Sequence, residues 1–416
     1  MPVFFIVASA ALIVAVSFSA LRKAGTRALR ATEFWIPVAL TVWPAWMQMF
    51  RIGSGTEASD SAWFAASIAP ALAISGLHIV LRAVGLSKRR TIIGVGSAAI
   101  VVLVGIATIA AALTGQSWQH GVLALTLVVA ASLSGIHRWD AVVHGVLVSV
   151  LLMLVSTAVY ALAAPGAFRT DCGDNISKCE LLGGFVSIGV GSGSNAFGIT
   201  LAMLVGVVVY RLRATRGAIA GIAVVVTVLS TGARLATACA AAVALIAWLA
   251  SIAPWARRLL PYGAGAFGML SIVTAVVPFP DDAFTERATL WGRARAMIAE
   301  SPVFGHGISH WVRDAATQPP PPRSYAPHNL WLDPLVAVGF AGVAVLVAGI
   351  ALGVWFARRR TRGVAWVLVA GVLCAGVFES TVMPFRFGPI PAGFLVLLLL
   401  LTASQRRLGR GLDASG

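Results

Sequence analysis

The chain has 416 residues, 59% of them hydrophobic and 11% charged, with a mean hydropathy of +0.90. A composition this apolar excludes a soluble globular domain of the same size and places the chain among integral membrane proteins. The net charge of +16 does not imply nucleic acid, because the charges sort by side. Seven polar breaks (22–30, 82–90, Arg138, 211–216, Arg257–Arg258, 358–362 and the carboxyl-terminal tail) hold 21 of the 31 bases, with only Glu33, Asp140 and Asp413 of the 15 acids in or beside them. The rest of the chain holds 10 bases and 12 acids. That is a positive-inside pattern, which sets the cytoplasmic side.

A helix crosses the hydrocarbon core with about 20 mostly apolar residues. Such runs fall at 2–21, 34–52, 62–82, 92–113, 119–136, 141–164, 195–211, 218–231, 234–253, 260–278, 329–356, 364–382 and 390–404. They predict an all-α, polytopic fold of 12–13 transmembrane helices, since none alternates as a membrane barrel strand does. The first run has bases after it rather than before it and reads as a retained helix, not a cleaved signal. The chain reads as a single transmembrane domain over residues 1–416 with two long outer loops, 165–194 and 279–328.

Cys172 and Cys179 share the first of these loops, where an oxidising compartment permits a bridge and two free thiols are equally compatible; Cys239 and Cys374 lie in apolar runs. In the second loop, Asp281 or Asp282 can cap a helix that runs to about Glu300 and ends at Ser301-Pro302. Arg287, Trp291 and Arg295 then share one face of an amphipathic helix lying on the outer membrane surface. Pro319–Pro322 forms a stiff connector ahead of His328.

Charged groups at membrane depth are costly, so each is a functional hypothesis. The run 217–256 is broken only at Ser230-Thr231-Gly232-Ala233-Arg234 and has cytoplasmic arginines on both flanks, so it reads as two short helices with Arg234 at an outward-facing turn. An interfacial arginine snorkelling to lipid phosphates fits that position equally well. His328, in Pro327-His328-Asn329 where the large loop re-enters the membrane, can take a proton from a hydroxyl at neutral pH, or can be an interfacial anchor. Arg287 is either a solvated loop residue or, with Arg234, half of a bidentate clamp for a pyrophosphate leaving group. Arg293, Arg295, Arg313 and Arg323 read as solvated or lipid-facing, Arg386 as a further phosphate contact, and His78, His120, His137 and His144 as interfacial anchors.

His328-Asn329, nine residues, then Gly339 resembles the H-[NSQ]-x9-G signature of O-antigen ligases, and the arginine after the Thr-Gly-Ala turn at 234 is similar to that family's membrane-edge arginine. The stretch from Arg287 to Gly307 resembles the segment in which related enzymes carry a second arginine. Ala341-Gly342 departs from a Thr-Thr sometimes found after the glycine, which blurs ligase against its relatives. The resemblance implies a GT-C-like enzyme of the bacterial inner (cytoplasmic) membrane whose periplasmic site is covered by loop 279–328. It joins an O-antigen glycan from undecaprenyl pyrophosphate to a sugar hydroxyl of lipid A-core, with inversion and without metal, nucleotide or other cofactor. It also implies catalytic roles for His328, Arg234 and Arg287; beside it, Asn329 reads as orienting the histidine or the acceptor, and Arg386, Asn195 and Tyr325 read as further substrate contacts. The rivals are an O-antigen polymerase, a protein O-oligosaccharyltransferase and a non-enzymatic lipid-linked glycan transporter. A transporter predicts internal repeats and charges buried mid-bundle. A metal-dependent glycosyltransferase would draw its ligands from Glu57 and Asp60.

Overall fold

The structure, a computed structural model, describes residues 2–54, 60–84, 91–135, 138–163, 194–281, 283–317, 326–383, 385 and 389–405. The expected Cys172–Cys179 pair and its loop, the Pro319–Pro322 connector, Glu57, His137, Arg323, Tyr325 and Arg386 lie outside the described residues.

Every one of the thirteen apolar runs carries a helix. In chain order these are α1 (Pro2–Leu29), α2 (Thr32–Ser54), α3 (Asp60–Ala83), α4 (Val95–Leu113), α5 (Gln119–Ser132), α6 (Trp139–Ala163), α7 (Ser194–Leu212), α8 (Ala214–Leu229), α9 (Arg234–Ile252), α10 (Pro254–Val276), α13 (Leu332–Phe356), α14 (Arg359–Gly376) and α15 (Pro389–Ala403). Two more, α11 (Ala283–Glu300) and α12 (His310–Thr317), belong to the 279–328 segment. Among the described residues, eight helices are long and apolar enough to cross a membrane and four more are apolar but shorter. The protein is an all-α, multi-pass membrane protein. Lipid offers no partner for a bare peptide group, and a helix satisfies its own.

Helix α7 forms the centre, with α6, α8, α9, α14 and α15 packed around it. Without a hydrophobic drive between helices in lipid, contact depends on close backbone approach. At Gly371 of α14 an added Cβ would stand 2.5 Å from the Met203 carbonyl of α7, so only glycine lets these two helices meet.

Two departures from the sequence reading have tertiary causes. The ends of the runs 92–113 and 119–136 are not helical: β1 (Thr91–Ile93) pairs antiparallel with β2 (Leu133–Gly135), Ile92 opposite Ser134. Beside this ribbon, Arg82 and Glu33, counted above among the charges of the polar breaks, form a buried ion pair. Glu33 Oε1 also accepts the Gly135 N–H at 2.9 Å, and the His78 ring bridges Thr32 Oγ1 at 2.6 Å and the Leu133 carbonyl at 2.8 Å. His78, expected as an interfacial anchor, is instead fully buried and ties α2, α3 and β2 together.

At the opposite end of the bundle the α8–α9 reversal is as expected, two short helices joined by residues 230–233. Gly232 takes φ 66°, Thr231 Oγ1 donates to the Val228 carbonyl, and the Ala233 N–H donates back to Thr231 Oγ1. The expected amphipathic helix is α11, ending at Glu300 before Ser301-Pro302. Trp291 is fully buried among Ala275, Leu332, Val336 and the rings of Phe279, Phe284 and Phe378, so α11 and α12 cap the start of α13. Arg293, expected to be solvated or lipid-facing, instead pairs with Asp314 and lies over the Trp311 ring, which holds α11 against α12. Burial there lowers its pKa from the usual arginine value.

Candidate functional site

The chain returns from the capping segment through Pro327, His328 and Asn329. His328 sits at φ 52°, a left-handed conformation uncommon outside glycine and tolerated best by short polar or imidazole side chains. Its neighbour holds it there. Asn329 is fully buried; its side-chain carbonyl accepts the Trp331 and Leu332 N–H groups at 2.9 and 3.2 Å, capping the entry to α13. Its amide lies 3.1 Å from Thr274 Oγ1, 3.3 Å from the Ser271 carbonyl and 3.4 Å from the Val377 carbonyl. Of the two roles expected of Asn329, orienting the histidine or the acceptor, its burial and its bonds fit the first. All its hydrogen-bonding capacity goes into fixing the backbone beside His328.

What His328 meets is a residue that the sequence reading passes over. Glu379 follows α14 in a turn, its side chain only 4% exposed. That turn is pinned by Leu330 N–H donating to the Gly376 carbonyl, Thr381 Oγ1 to the Val372 carbonyl and Thr274 Oγ1 to the Val377 carbonyl. Glu379 Oε2 stands 2.7 Å from His328 Nδ1, while Oε1 accepts from Arg287 Nη2 at 2.6 Å. One carboxylate thus joins the α11 arginine to the histidine, and Phe378 beside it packs on Phe284 and Trp291.

The arrangement has a chemical consequence. An ionised carboxylate only accepts, so the hydrogen between Glu379 and His328 sits on Nδ1, and Nε2 becomes the basic nitrogen of the neutral ring. The histidine side chain is 31% exposed while Glu379 and Arg287 are 4% and 13% exposed. The imidazole is the member of the group that a substrate can reach. Arg287 gives one of its five donors to Glu379 and keeps the fork geometry for others.

Arg234 is exposed at the first position of α9. Helix α9 packs against α14, and the end of α9 that Arg234 opens lies beside the end of α14 that leads to Glu379. Asn195, in the first turn of α7, lies at this same end, since Gly198 one turn later faces Thr231 and Ala236. The structure thus joins His328 and Arg287 through Glu379 and sets Arg234 and Asn195 at the same face of the bundle.

Gly339 has a role of shape. It interrupts α13 with φ 63° and ψ −171°, and a Cβ there would run into the Val303 carbonyl. The kink lets residues 302–307 run alongside it: His306 and Gly307 N–H donate to the Val336 and Ala337 carbonyls, and Phe340 and Ala341 N–H donate to the Pro302 and Val303 carbonyls. The glycine of the spacing motif is a backbone crossing that locks the cap onto the helix entered through His328.

One signal could have found Glu379. It is the only acid in the apolar run 364–382, and an acid inside a membrane run is a functional hypothesis by default. No curated protein matches this chain. Residues 181–347, which span Asn195, Arg234, Arg287, His328 and the Gly339 crossing, match the family model described as O-Antigen ligase, the family that the His328 and Gly339 spacing resembles.

Proposed function

We propose that this chain is a membrane glycosyltransferase that moves an O-antigen glycan from undecaprenyl pyrophosphate to a sugar hydroxyl of lipid A-core, on the periplasmic face of the bacterial inner membrane. The family match supports a glycan-transferring enzyme in general. The observation that carries the mechanism is Glu379 holding His328 Nδ1 at 2.7 Å while paired with Arg287.

In this reading His328 Nε2 removes the proton from the acceptor hydroxyl as its oxygen attacks the anomeric carbon from the face opposite the leaving group, which inverts the centre. The bond from that carbon to the pyrophosphate oxygen breaks, and the lipid pyrophosphate departs. Glu379 stabilises the imidazolium that forms and fixes the ring, as the buried carboxylate of a catalytic triad does. Arg234, with the remaining donors of Arg287, neutralises the charge growing on the pyrophosphate. Guanidinium groups do here what a divalent cation does elsewhere, so the reaction is metal-independent. Asn195, Tyr325 and Arg386 stay as proposed substrate contacts.

The lipopolysaccharide gel profile of a strain lacking this chain tests the assignment. Loss of the whole ladder with lipid A-core left behind supports a ligase, whereas surviving one-repeat bands move the assignment to a polymerase. Purified protein with both lipid substrates in excess EDTA tests metal independence: a collapse restored by magnesium or manganese contradicts it.

A further inference from the structure

Cys239 on α9 and Cys374 on α14 lie in direct contact, their Sγ atoms 2.7 Å apart, at 7% and 5% exposure. The proposed chemistry uses neither. Their places in the two helices are complementary. Cys239 is five residues, about 7.5 Å along a helix, beyond Arg234 at the start of α9. Cys374 is two residues before the end of α14 at Gly376, and Glu379 follows five residues after it. The two helices therefore run antiparallel, and the sulfur pair bridges the helix that presents Arg234 to the helix that leads to the partner of His328.

The geometry points to a Cys239–Cys374 disulfide site, an inter-helix staple beneath the site face of the bundle. A cross-link between residues 135 positions apart closes a loop containing most of α9, α10, the α11–α12 cap, α13 and most of α14. It holds the end of α9 against the turn of Glu379. That placement acquires catalytic meaning through the function proposed above, but the bond itself does not depend on it. The oxidant required is a protein of the thiol–disulfide oxidoreductase class acting on the outer side of the membrane, where disulfides persist. The Cys239 thiolate attacks the reactive disulfide of the oxidant, which forms a mixed disulfide and expels one oxidant thiolate. The Cys374 thiolate then attacks Cys239 Sγ, forming the internal bond and expelling the second. Two electrons reduce the oxidant to its dithiol, and the two thiol protons end on its sulfurs. Burial of both sulfurs closes the folded protein to so large an oxidant, so exchange belongs to insertion, when α9 is in place and α14 has yet to dock. The same burial then shields the bond from reduction.

The test uses the full chain carrying Cys172→Ser and Cys179→Ser, so that Cys239 and Cys374 are its only thiols. Protein from the membrane fraction, kept free of reductant, is denatured in detergent and labelled with a polyethylene-glycol maleimide that adds a visible mass per thiol. The expected result is no adduct before reduction and two after it, with one adduct before reduction once Cys374→Ala is added. Two adducts before reduction overturn the proposal. Non-reducing peptide mapping of the unmodified chain by mass spectrometry gives a second readout if the serine variant does not accumulate. A cross-linked peptide joining Cys239 to Cys374 supports the site, and those cysteines found as thiols or paired with Cys172 or Cys179 overturn it.

Discussion

Glu379 Oε2 and His328 Nδ1 stand 2.7 Å apart across 51 residues of sequence, and the same carboxylate holds Arg287 through its other oxygen. The pairing gives the histidine an orientation, a tautomer and a counter-charge, and it gives the cap helix α11 an attachment to the bundle. Both consequences can be measured.

Glu379→Gln keeps the shape of the side chain but removes the charge that balances the imidazolium. Transfer is expected to fall about 10²- to 10⁴-fold, with donor affinity changing far less than turnover. Glu379→Ala also strips the partner from the half-buried Arg287, and breaking a buried pair by removing one member costs about 3–5 kcal/mol, so a lowered thermal midpoint should accompany it. Turnover and donor binding measured on detergent-purified variants separate the two effects. Full activity in Glu379→Gln would reduce the carboxylate to a structural brace.

Gly339→Ala places a methyl group against the Val303 carbonyl at a backbone angle that disfavours any side chain. The clash works outward, loosening segment 302–307 from α13 while leaving every chemical group of the site in the chain. Proteolytic nicking within residues 301–317 should therefore rise together with loss of transfer. Gly265→Ala, at a helical position of α10 where an added Cβ meets nothing within 4 Å, is the comparison. Protease resistance equal to the parent in Gly339→Ala would show that the crossing is not what the glycine is for.

How much of this is legible in the sequence depends on whether an interaction is local. The helices are, because lipid demands them wherever about 20 apolar residues occur, and the α8–α9 reversal is, because Thr231-Gly232-Ala233 interrupts an apolar run with arginines on both flanks. His328 and Arg234 stand out by spacing and by charge at membrane depth. Glu379 hides at the end of an apolar run that α14 in fact leaves at Gly376. Beyond the local bond from Thr381 to the Val372 carbonyl, the turn is held by Leu330, Thr274 and packing on Phe284, all distant in sequence. Asn329 leaves two roles open in the sequence for a related reason: whether an amide faces substrate or caps a helix depends on the backbone it follows. Arg82 and Glu33 look like polar-break charges until the ribbon that buries them is in place.

The cap carries its own pH dependence. His310 stacks on His306 with ring centroids 4.5 Å apart, and its pKa is lowered first by burial and then by His306, Arg313 and Arg293, against an opposing pull from Glu300. A lowered pKa means the folded cap favours the neutral ring while the unfolded chain binds the proton more readily. The stability this contributes is complete above the unfolded histidine value of about 6.5 and is lost as pH falls through the lower folded value. Hydrogen-exchange protection over residues 301–317, taken as the intrinsic rate at each pH divided by the observed rate, should be greater at about pH 7.5 than at about pH 5, on either side of that range, and His310→Gln should flatten the difference. An unchanged pH response in His310→Gln would assign it to other groups.

His328 as the base and the arginines as servants of the leaving group make different demands on donor binding and on rate. His328→Ala, Arg234→Lys and Arg287→Lys, purified in detergent, should be compared for binding of the pyrophosphate-linked donor beside single-turnover transfer to lipid A-core. The lysine variants keep charge but lose the bidentate fork, so both binding and rate should drop partway. His328→Ala should bind donor close to the parent level and transfer at least about 10²-fold more slowly. Transfer by His328→Ala at near the parent rate, with donor binding intact, would contradict the account and return His328 to an interfacial anchor.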